Sequence, residues 1–160
     1  MRHCFLSAET ERVQFPPRKG QAEVLSIRVL VVEDYEPFRR VICSTLAKRE
    51  NTQVISEMCD GVQAVQKAAE LKPDLIVLDI GLPKLNGIEA ARQIRKLVPE
   101  SKIVFVSLEC SPDVVQEAFS VGALAYVAKR SLGSDLLTAV ETVLEGRKFV
   151  SSGLIASDPG

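Results

Sequence analysis

Between Ile27 and Leu144 the chain alternates five times between a short apolar run and a longer segment with apolar residues at helical spacing. No other feature narrows the possible folds as much. The runs IRVLVV (27–32), TQVISEMC (52–59), DLIVLD (74–79), KIVFVS (102–107) and ALAYVAK (123–129) read as strands. Apolar residues without polar alternation mark strands covered on both faces. Glu36-Pro37 opens a first helix whose inward stripe is Phe38, Val41, Ile42, Thr45 and Leu46. Helices follow at 61–71, 88–98 and 112–121. Asp60 is the expected N-cap of the second. Ser134 is the expected N-cap of a last one, with Leu136, Leu137, Val140, Val143 and Leu144 on one face. Because parallel strands need crossover connections, the alternation predicts an α/β fold: a doubly wound five-stranded parallel sheet with helices on both faces.

The bulk figures agree with one domain. The chain has 160 residues, is 46% hydrophobic and 26% charged, and carries a formal net charge of −1. That charge points to neither nucleic acid nor an anionic membrane surface. No apolar stretch approaches the ~20 residues of a membrane span, and the N-terminus lacks the apolar core of a secretory signal, so a cytoplasmic protein is expected. Cys4, Cys43, Cys59 and Cys110 are scattered without a CxxC pair, and His3 is the only histidine. They read as reduced thiols, with neither a zinc site nor a disulfide framework. Residues 1–25, which include Pro16-Pro17, show no period and are expected to form a flexible extension. The domain is expected over 26–149, and 150–160 as a tail or the start of a linker.

In a sheet of this kind, ligands bind outside the carboxyl ends of the strands, where the strand order reverses. Glu33 and Asp34 follow the first strand, Asp79 ends the third, Ser107 ends the fourth, and Tyr126 and Lys129 lie at the fifth. Three carboxylates held together repel one another unless a cation joins them. Magnesium is the natural choice, since it takes a few carboxylate oxygens together with water and phosphate oxygens. Lys129 offers a point charge and Ser107 a hydrogen bond to a phosphoryl oxygen. Neither a nucleotide P-loop nor a Gly-x-Gly-x-x-Gly turn is present, so the protein itself is expected to accept the phosphoryl group, on the Asp79 carboxylate. Gly81-Leu82-Pro83 then turns the backbone away, and a main-chain carbonyl near Gly81 is a further candidate metal ligand. Arg92, Arg95 and Lys96 read as a solvated helix face.

The pieces VVEDYEPFRR, DLIVLDIGLPKLNGIEAARQIR, IVFVSLE and GALAYVAK, in that order, resemble the receiver domain of bacterial two-component response regulators. With LLTAVETVLEGRKFVS they look most like the NarL/FixJ type. The resemblance implies a flavodoxin-like strand order, 2-1-3-4-5. It implies Asp79 as phosphoacceptor, Asp34, Glu33 and the Gly81 carbonyl as metal ligands with Asp79, and Mg2+ (or Mn2+) as the metal. Ser107 and Tyr126 match the switch pair, and Lys129 the lysine that meets the phosphoryl group. The implied donor is a phosphohistidine on a sensor kinase or phosphotransfer protein. The implied output surface, a possible homodimer interface, is the fourth helix, fifth strand and fifth helix. A domain of this kind signals rather than serving as a metabolic enzyme, although it assists its own phosphotransfer and dephosphorylation.

Three departures stand out. Arg130 follows Lys129 where the family usually has proline, often with a cis bond, which leaves open how Lys129 is placed. Leu108 replaces a small residue after Ser107 and is expected to narrow the entrance. Only about a dozen residues follow the last helix, too few for the helix-turn-helix unit that NarL/FixJ types usually carry, so no DNA binding is expected of this chain alone. A phosphatase with an aspartate nucleophile would need Asp-x-Asp after the first strand, where Glu33-Asp34-Tyr35-Glu36 stands. A flavodoxin-like cofactor binder would need a hydroxyl-rich loop there. The remaining alternative is a degenerate receiver that acts as an interaction module without phosphorylation.

Overall fold

Side chains along each strand face two ways, and in this chain both ways are apolar, so each face of the sheet needs its own cover of helices. The structure, a computed structural model, describes residues 25–152. Apart from Leu25, the expected extension over 1–25 lies outside the described residues, as does most of the expected tail. The strands are β1 (Ile27–Val32), β2 (Thr52–Met58), β3 (Leu75–Asp79), β4 (Lys102–Ser107), β5 (Ala125–Ala128) and β6 (Phe149–Val150). The helices are α1 (Glu36–Leu46), α2 (Gly61–Leu71), α3 (Gly87–Leu97), α4 (Pro112–Ser120) and α5 (Leu132–Leu144). All strand pairs are parallel, in the order β2-β1-β3-β4-β5-β6. The order 2-1-3-4-5 is as expected, with β6 added outside β5.

Val29 and Val31 of β1, Leu75 and Val77 of β3, Val104 and Val106 of β4, and Ala125 and Val127 of β5 form one apolar layer. Ile42 and Leu46 of α1 and Leu136, Val140 and Val143 of α5 cover it. The alternate positions Leu30, Val32, Ile76, Leu78, Ile103, Phe105 and Tyr126 face Ala64, Ala68, Ile88, Ala91, Ile94 and Ala118 of α2, α3 and α4. The connections β1–α1–β2 and β2–α2–β3 run to opposite sides of β1, so the order reverses between β1 and β3 and a crevice opens at their carboxyl ends.

Local signals explain most helix ends. Asp60 caps α2 by accepting from Gln63 N at 2.8 Å, as read from the sequence. Asn86 and Ser111 cap α3 and α4 in the same way. Four expectations need correction. The sheet has a sixth strand. Val41 is 42% exposed, so the buried stripe of α1 is the narrower set Ile42, Thr45 and Leu46. Ser134 is not the N-cap of α5: a 3-10 turn at Lys129–Ser131 runs straight into the helix, which begins at Leu132. The Ser134 hydroxyl donates instead to Ser131 O. Cys59 is disulfide-bonded, whereas Cys43 and Cys110 are free thiols. Burial pushes the Cys43 thiol up to about 12, which makes it a core filler rather than a nucleophile.

Candidate functional site

Glu33, Asp79 and Lys129 fall next in the alternating rows of β1, β3 and β5 that build the α1/α5 layer, so the cluster is the polar end of an apolar row. Glu33 N donates to Met58 O, which extends the ladder one step past β1. Lys129 Nζ lies 2.8 Å from Glu33 Oε1 and 3.1 Å from Asp79 Oδ1. All three side chains are enclosed, with Glu33 fully buried. The Glu33 Oε1 contact is ionic and lies off the direction of a regular hydrogen bond. Its other oxygen accepts from Tyr35 N at 3.1 Å.

Two buried carboxylates share this one ammonium. Burial pushes Glu33 from 4.5 to about 7, with the nearby Asp79 charge adding to the rise and Lys129 opposing it. Burial raises Asp79 as well, again against the pull of Lys129. Asp34 stands exposed beside them, and one oxygen from each of Glu33, Asp34 and Asp79 lies within 4.8 Å of the others. Oxygen donors with this excess of negative charge fit a hard divalent cation.

The turn after Asp79 is tightly docked. Gly81 N donates to Asp79 Oδ1 at 3.3 Å, so the part of Gly81 that meets the carboxylate is its amide. Gly87 N donates to Ile80 O, and a Cβ at Gly87 would sit 2.1 Å from the Asp79 carbonyl oxygen. At Gly61 a Cβ would sit 1.8 Å from Leu85 O. Glycines at these two close approaches clamp the loop between α2 and the end of β3.

Ser107 and Tyr126 occupy the other face, and both are buried. Glu109 joins them through its backbone: its N–H donates to Ser107 Oγ at 2.9 Å, and its carbonyl accepts from Tyr126 OH at 2.8 Å. Burial pushes the Tyr126 phenol up, against the opposing effect of the Ser107 hydroxyl. A cleft of about 470 Å³ opens over the cluster, lined by Glu33, Asp34, Tyr35, Phe38, Asp79, Ile80, Gly81, Ser107, Leu108, Glu109 and Lys129. Leu108 stands at its rim, 69% exposed. Among the described residues there is no cis peptide bond, so Lys129 and Arg130 are joined in trans. Arg92, Arg95 and Lys96 lie outside the cleft; Arg92 pairs with Glu89, and Arg95 donates to Pro99 O.

Glu33, Asp34, Asp79, Gly81, Ser107 and Lys129 thus all line one cleft, with Tyr126 beneath it. Sequence reasoning missed Glu109, whose only signal was its place two residues after Ser107. It also missed Phe38, whose helical spacing assigned it to the core.

The family model "Response regulator receiver domain" matches residues 29–141, and the chain belongs to that family. It is of the NarL type and is the signal-receiving part of two-component signalling. Among curated proteins it is 36% identical over 122 residues to "Response regulator protein VraR" of Staphylococcus epidermidis, covering 76% of this chain and 58% of VraR. The chain thus spans little more than half the length of such relatives. Among solved structures it is similar to a LuxR-family two-component response regulator from Aurantimonas sp. SI85-9A1. There the identity is 30% and the TM-score 0.78, over 82% of this chain and 94% of that one. It is also similar to the signal receiver domain of the putative response regulator NarL from Mycobacterium tuberculosis. That match has 26% identity and a TM-score of 0.73, over 77% of this chain and 99% of the other. No described helix is long and apolar enough to cross a membrane.

Proposed function

We propose that Asp79 accepts a phosphoryl group and that Glu33, Asp34 and Asp79, with the Gly81 backbone, hold a magnesium ion (or manganese) for that reaction. One observation carries the reading: three carboxylates and one ammonium meet at the reversal point of the sheet, with more negative charge than Lys129 alone balances. A bound divalent cation supplies positive charge to the phosphoryl oxygens and offsets the repulsion among the carboxylates.

The chain's own groups do the rest. An Asp79 carboxylate oxygen attacks phosphorus in line; the bond from phosphorus to the donor nitrogen breaks, and its electron pair leaves with the histidine of a partner kinase or phosphotransfer protein. The N–H of Gly81 holds Oδ1 of Asp79, which steers the other oxygen toward the donor. Lys129 moves its contact from the carboxylates to a phosphoryl oxygen, and Ser107 turns its hydroxyl to another. That turn strains the Ser107–Glu109–Tyr126 chain of hydrogen bonds and biases the α4 side toward a second packing. The readout is a homodimer or a docked partner on α4, β5 and α5. The domain acts as a switch that assists its own phosphorylation and dephosphorylation, and a cytoplasmic location suits a kinase-fed switch.

The test is intact mass after incubation with acetyl phosphate and Mg2+, beside Asp79→Asn. The expected result is one added phosphoryl mass in the wild type and none in the variant. Equal uptake by both would remove Asp79 from the role. No uptake with either acetyl phosphate or the smaller mimic beryllofluoride would remove the phosphoacceptor reading itself.

A further inference from the structure

The Lys129 ammonium has a third neighbour besides its two carboxylates. Nζ lies 4.6 Å from the centroid of the Phe38 ring, within the range over which a ring face attracts a cation. Phe38 is half-buried near the start of α1 and packs onto the α1/α5 layer. The Tyr35 ring meets it edge-on, with centroids 5.5 Å apart and planes at 61°. The ring is thus held between the apolar layer and Tyr35, and the ammonium it contacts is buried at the cleft.

We infer that Phe38 is a positioning residue for Lys129: its ring face holds the ammonium in the cleft while the carboxylate contacts are exchanged for a phosphoryl group. This rests on the phosphoacceptor reading above. The physical point is what each contact does when charge moves. Transfer changes the charge on Asp79, and a divalent cation competes for Glu33, so both ion pairs of Lys129 weaken during the reaction. The Phe38 ring is neutral, does not titrate and is not a metal donor. Of the three contacts it is the one whose own charge does not change during the reaction. With arginine in place of proline at position 130, the lysine's placement falls to its side-chain surroundings, and Phe38 supplies the neutral part of them.

Two readouts on the whole chain test this. The first needs no phosphorylation. In a lysine-selective carbon–proton spectrum, assigned through Lys129→Arg, the Lys129 ε-methylene protons should be displaced upfield by the ring current. The displacement should vanish in Phe38→Leu and survive in Phe38→Tyr. The second is the rate of phosphorylation by acetyl phosphate with Mg2+. Phe38→Leu should be slower by on the order of tenfold, and Phe38→Tyr, which keeps a ring face, should stay near the wild type. Thermal unfolding confirms that each variant folds, with Phe38→Met as the replacement if Phe38→Leu does not. An ordinary Lys129 resonance in the wild type would overturn the inference. So would equal rates for Phe38→Leu and wild type, or equally slow Leu and Tyr variants, which would mark a packing role. Wild-type protein that takes up no phosphoryl group sinks the acceptor reading instead; the resonance then still decides whether the ring holds the ammonium.

Discussion

At the carboxyl edge of the sheet, the α1/α5 side and the α4 side are built from different materials. The first holds Glu33, Asp79 and Lys129, three ionisable groups out of water and within ion-pair distance. The second holds Ser107, Tyr126 and the Glu109 backbone, neutral groups joined by two ordinary hydrogen bonds. Both arrangements follow from strand alternation, since the last residue of a row inherits its face. The energies differ by much more than the geometry. A buried charge that loses its partner costs several kcal/mol, whereas a neutral hydrogen bond is worth about 1 kcal/mol net. The charged side is thus tightly held at rest until its charges change, and the neutral side can rearrange at little cost.

Breaking the charged side should have the largest effect. Lys129→Met leaves Glu33 and Asp79 without their cation and should lower stability by about 3–5 kcal/mol at pH 8 without divalent ions, read by urea unfolding. A loss below about 1 kcal/mol would mean that water already screens the pair. Asp79→Asn should act in the opposite direction and stabilise the fold, because burial disfavours its charged form.

The pH dependence sharpens the same contrast. Glu33 titrates near 4.5 in the unfolded chain and near 7 in the fold. Between these values the folded protein holds more protons, so the Glu33 contribution to stability falls as pH rises from about 4.5 to 7. Urea midpoints should therefore decline across that window. The decline should shrink in Glu33→Gln and be offset by millimolar Mg2+. A midpoint that rises through the window would contradict the assignment.

Gly87→Ala tests whether the charged side is held by its backbone. The new Cβ would meet the Asp79 carbonyl oxygen at 2.1 Å and should cost about 1–3 kcal/mol while slowing phosphorylation of Asp79. Gly81→Ala, where a Cβ meets nothing within 4 Å, should be close to neutral in stability. The smallest effect belongs to the neutral side. Tyr126→Phe removes one hydrogen bond to Glu109 O and should cost about 1 kcal/mol, with phosphoryl uptake preserved.

How much of this could be read from the sequence follows from the same physics. Strands covered on both faces must be continuously apolar, so β1, β3 and β4 announced themselves, and their last residues pointed to Glu33, Asp79 and Ser107. β6 could not announce itself, because two residues carry no period and its pairing with β5 is a tertiary event. The 3-10 turn at Lys129–Ser131 was hidden in the same way; Ser134 has the chemistry of a cap, but the chain enters the helix before reaching it. Phe38 was legible only as one member of a helical stripe. Spacing says that a side chain faces inward, and cannot say that the end of the stripe lies over a lysine just past β5, three places from β1 across the sheet.

β6 has a further consequence, for how the sheet meets other sheets. Without it β5 would be an outer strand with free amides, an invitation to a strand from another molecule. Phe149 N donates to Leu124 O, Ser151 N to Tyr126 O, and Ala128 N to the Ser151 hydroxyl, so these groups in and just before β5 are already taken. The cover is only two residues long and ends as soon as it has done this, too short to template a neighbour in its turn. At the opposite edge, β2 interrupts its apolar residues with Thr52, Gln53, Ser56 and Glu57. The sheet is thus finished at both margins against growing by strand addition.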